Sequence, residues 1–336
     1  MIRNLAAVAA IGALAVCSAS VYAQQGESAP VYRPLVEEYT GLWCGSCPSG
    51  YVALEEAFDE YGRDFVAIAY HINDAIQTHA QYPPAPNGLP AAMVNRKTVT
   101  SMHSIGQVWA ETREDGTDAD VALEVGWTSE AQTSVRAKGS VTFMTDHKAA
   151  DYRFAFVLVA DGLTNRAWGQ ANYYSGTLAG GKYWPIFTKG GGMVYGLKFN
   201  NVPMIAKNPL GIEKSLPTTI EAGTTYEYDY EFNLADAKTW NTGSAIIQDK
   251  GMLRVIMFIY DGKTRQPLNS ISSGYMSEAG LLSGVETVEA VGETVSRRLY
   301  DLQGRSLTSE PAAGTPYILC ETDSEGRVRT SKRVAR

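Results

Sequence analysis

Apolar and polar positions change period along the chain, and those changes outline its parts. From Leu35 a short apolar run ends at Trp43, and a segment with helical spacing follows. Leu54, Ala57, Phe58 and Tyr61 recur at i, i+3, i+4 and i+7, which predicts a helix with one apolar face, and Gly62 stands where a helix stop belongs. Residues 65–70, FVAIAY, are continuously apolar and predict a buried strand. Residues 74–81 fit a short helix. The prolines at 83, 84, 86 and 90 then interrupt regular structure, because proline neither continues a helix nor donates in a ladder. A strand over 91–95 and a helix over 104–114, with Ile105, Val108 and Trp109 inward, complete an α/β module.

Around residues 115–120, DGTDAD, the texture shifts to period two. Tyr226, Tyr228, Tyr230 and Phe232 alternate with Glu227, Asp229 and Glu231, the pattern of a strand with one apolar face. Further strands are predicted over 121–127, 135–144, 152–160 and 253–260, with Asp161-Gly162 and Asp261-Gly262 as turns. Helical periodicity is essentially absent here, so an antiparallel, Ig-like β-sandwich is expected. Residues 175–201, rich in glycine and aromatics, fit a long loop or irregular edge strands. A small β unit begins near Leu281, with strands around Gln303-Gly304 and Glu325-Gly326 turns and a basic tail. The expected organisation is a leader over 1–23, an α/β domain over 24–118, a β-sandwich over 119–280 and a β unit over 281–336.

The leader follows from Arg3, the apolar residues 5–16 and the small-residue site Val21-Tyr22-Ala23, which together resemble a secretory signal cleaved after Ala23. Leu14-Ala15-Val16-Cys17 offers a lipobox alternative, though the branched Val16 fits it poorly. A net charge of −7 without any basic stripe argues against nucleic acid as a partner. Residues 176–182 match GxxxxGK, but Tyr183 stands where Ser or Thr is required and Trp184-Pro185 is not expected to open a helix, so no nucleotide site is expected.

Cleavage removes Cys17 and leaves Cys44, Cys47 and Cys320, a close pair and a distant bystander thiol. Cys44-Gly45-Ser46-Cys47 falls where the strand feeds the helix, so its first turn is expected to carry both cysteines, Cys44 exposed and Cys47 partly buried. Free N–H groups and the positive dipole end stabilise a thiolate there. A permanent structural disulfide and half of a zinc site are the alternatives. Zinc needs about four ligands, and neither a second CxxC nor a usual spacing of His71 and His79 supplies them. His71 is expected to be a hydrogen-bonded loop residue, and His79, His103 and His147 form no triad. Tyr173, Tyr174, Tyr183 and Trp184 fit either a binding surface or loop packing.

Residues 37–47, EEYTGLWCGSC, resemble the thioredoxin superfamily, with Trp43 directly before the first cysteine. The intervening pair departs from thioredoxin's Gly-Pro: it is Gly45-Ser46, with Pro48 displaced past Cys47. That dipeptide tunes thiolate stability and redox potential. Together with GLPAAMVNRK at 88–97, the stretch resembles the exported thioredoxin-like proteins called outer membrane protein 28-related, over residues 31–275. The resemblance implies thiol–disulfide exchange with protein thiols or disulfides of a Gram-negative cell envelope, with no cofactor and no metal. Cys44 and Cys47 would form the redox disulfide. Pro90 would be the cis-proline, Leu89 and Trp43 would line the groove, and Glu38 would be the buried acid below Cys47. On a strand, Glu37 or Glu38 is expected to point outward, so a solvated acid is the alternative for Glu38. LYDLQGR, GTPYIL and SKRV near the C-terminus resemble a type IX secretion sorting domain, which implies outer-membrane or surface association.

Overall fold

The computed structural model describes residues 29–99, 101–282, 294–301, 305–309, 311–312, 315–323 and 328–334. The leader, Cys17 and the turns at 303–304 and 325–326 lie outside the described residues. Strand β1 (Leu35–Thr40) leads to helix α1 (Pro48–Tyr61), which stops at Gly62 with φ 59°, and to β2 (Val66–His71). Strands β3 (Ala91–Val94) and β4 (Lys97–Val99) and helix α2 (Ile105–Arg113) follow. The sheet order is β2-β1-β3-β4, with β1 parallel to β2 and antiparallel to β3. This N-terminal βαβ unit resembles a thioredoxin-like fold. Residues 74–81 are not helical: both oxygens of the Asp74 side chain are engaged locally, Oδ1 accepting the N–H groups of Ile76 and Gln77 at 2.8 and 3.0 Å. A side chain that bonds the nearby backbone in this way competes with helical pairing.

Strands β5 (Ala119–Trp127), β6 (Ser134–Phe143) and β7 (Tyr152–Ala160) open the β-rich part. A long excursion holds β8 (Gly169–Ala171), the one-turn helix α3 (Pro185–Thr188) and β9 (Met193–Tyr195) before β10 (Val202–Ile205). Trp184-Pro185 does open a helix, since proline at the first helical position lacks an N–H that would be unpaired there anyway. Strands β11 (Thr225–Asn233), β12 (Leu253–Asp261) and β13 (Gln266–Ser272) complete two antiparallel sheets, β10-β7-β12-β13 and β11-β6-β5. Neither closes into a barrel. Strands β14 (Thr294–Tyr300), β15 (Ser306–Leu307), β16 (Pro316–Asp323) and β17 (Val328–Val334) form a last small sheet, packed around Tyr317 and Leu319. Cys320 is half-buried on β16.

The layers explain the sequence pattern. β6 alternates between buried and half-buried positions because one of its faces meets the core. β7 and β12 read as continuous apolar runs because both of their faces are covered. Phe154, Phe156, Leu158, Val255, Met257 and Ile259 point toward β5 and β6, into the core between the two antiparallel sheets. Their neighbours Ala155, Val157, Val159, Ile256, Phe258 and Tyr260 point the other way and pack on Leu35, Tyr39, Ile68 and Tyr70 of the N-terminal sheet. That sheet's second face is closed by α1 and α2 through Ala53, Leu54, Ala57, Ile105 and Trp109. Helices and three sheets therefore stack in sequence, with cores shared across the junction.

β1 lies in the middle of this stack and is buried at every position. The expectation that Glu37 or Glu38 points outward is therefore overturned, since neither face of β1 meets water. Glu37 faces the antiparallel sheet and pairs with Arg96, whose Nε lies 3.1 Å from Glu37 Oε2. Arg96 sits in the Asn95-Arg96 turn, with φ of 49° and 62° at the two residues, between β3 and β4. Its guanidinium lies 4.8 Å from the ring centre of Tyr260. Removing one member of a buried ion pair strands the other, which typically costs about 3–5 kcal/mol. Arg96→Met should lower unfolding stability by about that much in urea titrations. The double variant Glu37→Gln, Arg96→Met should cost less than the sum of the single changes.

Candidate functional site

Successive turns wind the chain from β1 into α1. Cys44 N–H donates to Gly41 O at 3.0 Å, Cys47 N–H to Cys44 O at 3.1 Å, and Gly50 N–H to Cys47 O at 3.0 Å. Cys47 is the N-cap residue of α1 and Pro48 its first helical residue. The cysteines thus occupy the turn ahead of the helix rather than its first turn. They form a disulfide, with Cα atoms 5.3 Å apart.

Cys44 is only 6% exposed and Cys47 1%, so the first cysteine is not at an open end as expected. The cover comes from the excursion between β7 and β10. Ala171 N–H donates to Leu42 O at 2.7 Å and Tyr173 N–H to Gly45 O at 2.9 Å, so β8 and its continuation bind the cysteine loop by backbone bonds. The buried Gln170 side chain donates through Nε2 to Cys44 O at 2.9 Å and to Gly41 O at 3.3 Å. The Tyr173 ring crosses Gly45 so closely that a Cβ there would overlap it.

Trp43 remains 56% exposed beside the pair, fixed by its Nε1 donating to Ile72 O at 2.8 Å. The Leu89–Pro90 peptide bond is cis. Pro90 directly precedes Ala91, which pairs with Tyr39 near the end of β1, so the proline shares the sheet end that leads to the cysteines. Leu89 is half-buried, with its side chain against the cluster of Tyr39 and Tyr70.

Glu38 lies on the opposite face of β1 from Glu37, between the strand and α1. Its Oε1 abuts Gly50, where any Cβ would overlap it. The carboxylate is buried, and Oε1 has no hydrogen-bond partner among the described residues. Burial pushes its pKa up to about 8, and the nearby charge of Glu55 adds to the shift. A small cavity opens beside it, where the polar groups of Thr40, Glu55, His71, Gln170 and Asn200 meet the apolar side chains of Leu54 and Phe199. His71 Nδ1 lies 2.7 Å from Asp74 Oδ2, which also accepts Leu42 N–H at 2.8 Å. Burial opposes ionisation of Asp74, but His71 and these N–H groups hold its carboxyl below the usual range. The pair anchors the loop, as expected for a hydrogen-bonded histidine. His147 is far along the chain in a separate contact, its Nε2 2.6 Å from Asp118. Among the described residues, no three His, Cys, Asp or Glu side chains gather as metal ligands.

Gln170, Glu55 and Asn200 were not singled out by the sequence reading, and Tyr173 only within an aromatic group fitting a binding surface or loop packing, not as cover for the cysteines. Gln170 and Tyr173 lie more than a hundred positions from the cysteines and carry no motif, so no periodicity or spacing points to them.

No protein-family model matches the chain, and no curated protein matches it. Solved structures do. HBP35 of Porphyromonas gingivalis is similar at 14% identity and a TM-score of 0.54, covering 92% of this chain and 100% of its own. The likeness is one of fold. An Agrobacterium tumefaciens protein matches at 14% identity and a TM-score of 0.37, over 78% of this chain and 100% of its own. A domain of the outer membrane lipoprotein Omp28 from Porphyromonas gingivalis matches at 10% identity and a TM-score of 0.26, over 49% of this chain and 92% of its own.

The Glu38 carboxyl ties stability to pH. Folded, it keeps its proton up to about pH 8, whereas an unfolded glutamate releases it near 4.3. Between those values the folded state holds the extra proton, so raising pH costs stability, by at most ~1.4 kcal/mol per pH unit from this group. Glu38→Gln removes the term. Urea titrations should show the variant gaining stability over the wild type from pH 5 to pH 8, with no further gain above; parallel profiles would contradict the buried neutral acid.

Proposed function

We propose that the chain is an exported, envelope-associated protein that performs thiol–disulfide exchange through Cys44 and Cys47. The supporting observation is the disulfide at the start of α1 together with an unpartnered acid, Glu38, buried against the same helix turn. A disulfide that never opens has no proton to hand over. A reactive pair does: the resolving thiol must ionise, and a neighbouring carboxylate can take its proton.

In this reading Cys44 attacks the partner's sulfur and Cys47 resolves the mixed disulfide. Glu38 accepts the Cys47 proton. Trp43 forms an exposed wall of the groove, and the Leu89–Pro90 backbone presents a strand-like edge to a partner peptide. The partners are protein thiols or disulfides of the cell envelope. The two antiparallel sheets, an Ig-like sandwich in this reading, back the redox sheet and carry the segment that covers it. The small C-terminal sheet would serve as the sorting unit that takes the chain to the outer membrane or cell surface. The division into residues 24–118, 119–280 and 281–336 belongs to this reading as well, with the first two parts packed through one apolar cluster.

One observation favours a second reading. Cys44 is nearly closed off by Gln170 and Tyr173, as suits a surface structural or interaction protein that keeps a stable disulfide. Two measurements separate the readings. After mild reduction, exchange chemistry predicts selective alkylation of Cys44 at pH values below the free-thiol pKa of about 8.5. In the native envelope, Cys47→Ser should accumulate mixed disulfides through Cys44. Slow, unselective alkylation with no trapped partner in a well-expressed variant would instead establish the stable disulfide.

A further inference from the structure

Two cavities share a wall formed by Glu55, Asn200 and Asn201. The small cavity beside Glu38 has a volume of about 20 Å³; a site for one water needs roughly 10–15 Å³ and polar partners. On its outer side lies a larger cleft of about 330 Å³, lined by Arg63, Asp161, Arg254 and Tyr275. Glu55 stands on α1 and is held at that boundary by Asn200 Nδ2, which donates to its Oε1 at 2.6 Å. Asn200 is itself fixed, its Oδ1 accepting Gly162 N–H at 2.8 Å.

We propose that Glu55 is the group through which Glu38 exchanges its proton with solvent, across the small cavity and out through the cleft. The proposal rests on the thiol-exchange reading and extends it to the proton's route. Glu38 is enclosed by β1, β2 and α1, and a proton taken up there needs an exit. Glu38 Oε1 has no competing partner among the described residues, and Glu55 is near enough for its charge to act on it. Burial, with Asp161 and Asp59, raises the Glu55 pKa, against the opposing pull of Asn200 and Lys182 toward the ionised form. The other titratable side chains bordering the small cavity are His71 from β2 and Tyr51 from α1, and the cleft adds Arg63, Asp161, Arg254 and Tyr275.

The step balances. Glu38 first releases its own proton to solvent by way of Glu55; the Cys47 thiol then gives its proton to the resulting carboxylate, and its sulfur attacks Cys44 Sγ of the mixed disulfide. The Cys44–Cys47 bond forms, the Cys44–partner bond breaks, and the partner sulfur leaves as a thiolate with that bond's electron pair. The partner is reduced and the cysteine pair oxidised. The proton on Glu38 then passes by a water in the small cavity to Glu55 and from there to solvent. Exchange in the opposite direction runs the same route inward.

The test is a single turnover of the reduced mature chain with oxidised glutathione, quenched by acid and read by mass as mixed disulfide and closed pair. Glu55→Gln should form the mixed disulfide at the wild-type rate yet close the pair about tenfold more slowly. Glu55→Asp should recover part of the rate. Isotope-edited infrared titration should show the Glu38 midpoint falling in Glu55→Gln, because a like charge is gone, and a merely structural Glu55 would not produce both effects. Asn200→Ser, which frees Glu55 from its anchor, should also slow closure and serves if Glu55→Gln folds poorly. Closure at the wild-type rate and pH profile in both variants would overturn the route while leaving the exchange reading intact. A wild-type chain that never forms the glutathione adduct would overturn the exchange reading itself, and the route with it.

Discussion

β1 has no face turned to water, and most of what is unusual in the structure follows from that. Helices cover one side and a second sheet covers the other. Two consecutive glutamates in such a strand must go into two different interiors. Their fates diverge because the interiors differ. Toward the second sheet, Arg96 reaches in from the β3–β4 turn, so Glu37 is compensated as an ion pair. Toward α1 no cation pairs with Glu38 among the described residues, and the neighbour is another acid, Glu55. An isolated carboxylate in such a place neutralises by keeping its proton rather than by finding a partner. One strand therefore holds one acid paired with a cation and one without, back to back.

The same stacking supplies the second half of the site. With the N-terminal sheet fixed against β7 and β12, the excursion that leaves β7 is brought to the end of β1, where the cysteines lie. Its backbone bonds to Leu42 and Gly45, with the Gln170 amide on the Cys44 carbonyl, define the loop's shape from outside. Gly45 and Gly50 mark the two close approaches, one under the Tyr173 ring and one over Glu38. A larger residue at either place would push the loop off its cover or the helix off its acid. The β-rich part is thus a wall of the site as well as a neighbour of it.

The parts legible in the sequence were those fixed by local pattern. The α1 face at Leu54 and Ala57, the stop at Gly62 and the buried run at 65–70 all follow from spacing and turn chemistry. So did the long strands, since 152–160 and 253–260 are apolar apart from Arg153 and Arg254. Alternation along β1 sends Glu37 and Glu38 to opposite faces but does not say that both faces are covered, which is why a solvated acid was expected. The short helix over 74–81 failed on one side chain: Asp74 bonds the backbone and His71 instead. The expectation about Pro185 failed because the rule against proline in helices does not apply at the first position. The contacts of Gln170 and Tyr173 with the cysteine turn were beyond reach, because only the packing of distant strands brings them there.

The neutral Glu38 also bears on what the cysteine pair is for. In the oxidised state neither sulfur titrates, and the acid's proton is set by burial and by Glu55 alone. Once the disulfide opens, Cys47 gains a thiol in the same confined turn, and the two groups must share their protons as a coupled pair. Ionising either one then discourages ionising the other, so the reduced site keeps a proton in reserve near neutral pH. The covering segment strengthens this coupling, because it keeps water from the cysteine turn and so leaves the like-charge repulsion less screened. Closure of Cys44 and stranding of Glu38 are then two effects of one constraint, a cysteine turn enclosed between layers; under the proposed exchange, a proton has to move there together with the electrons.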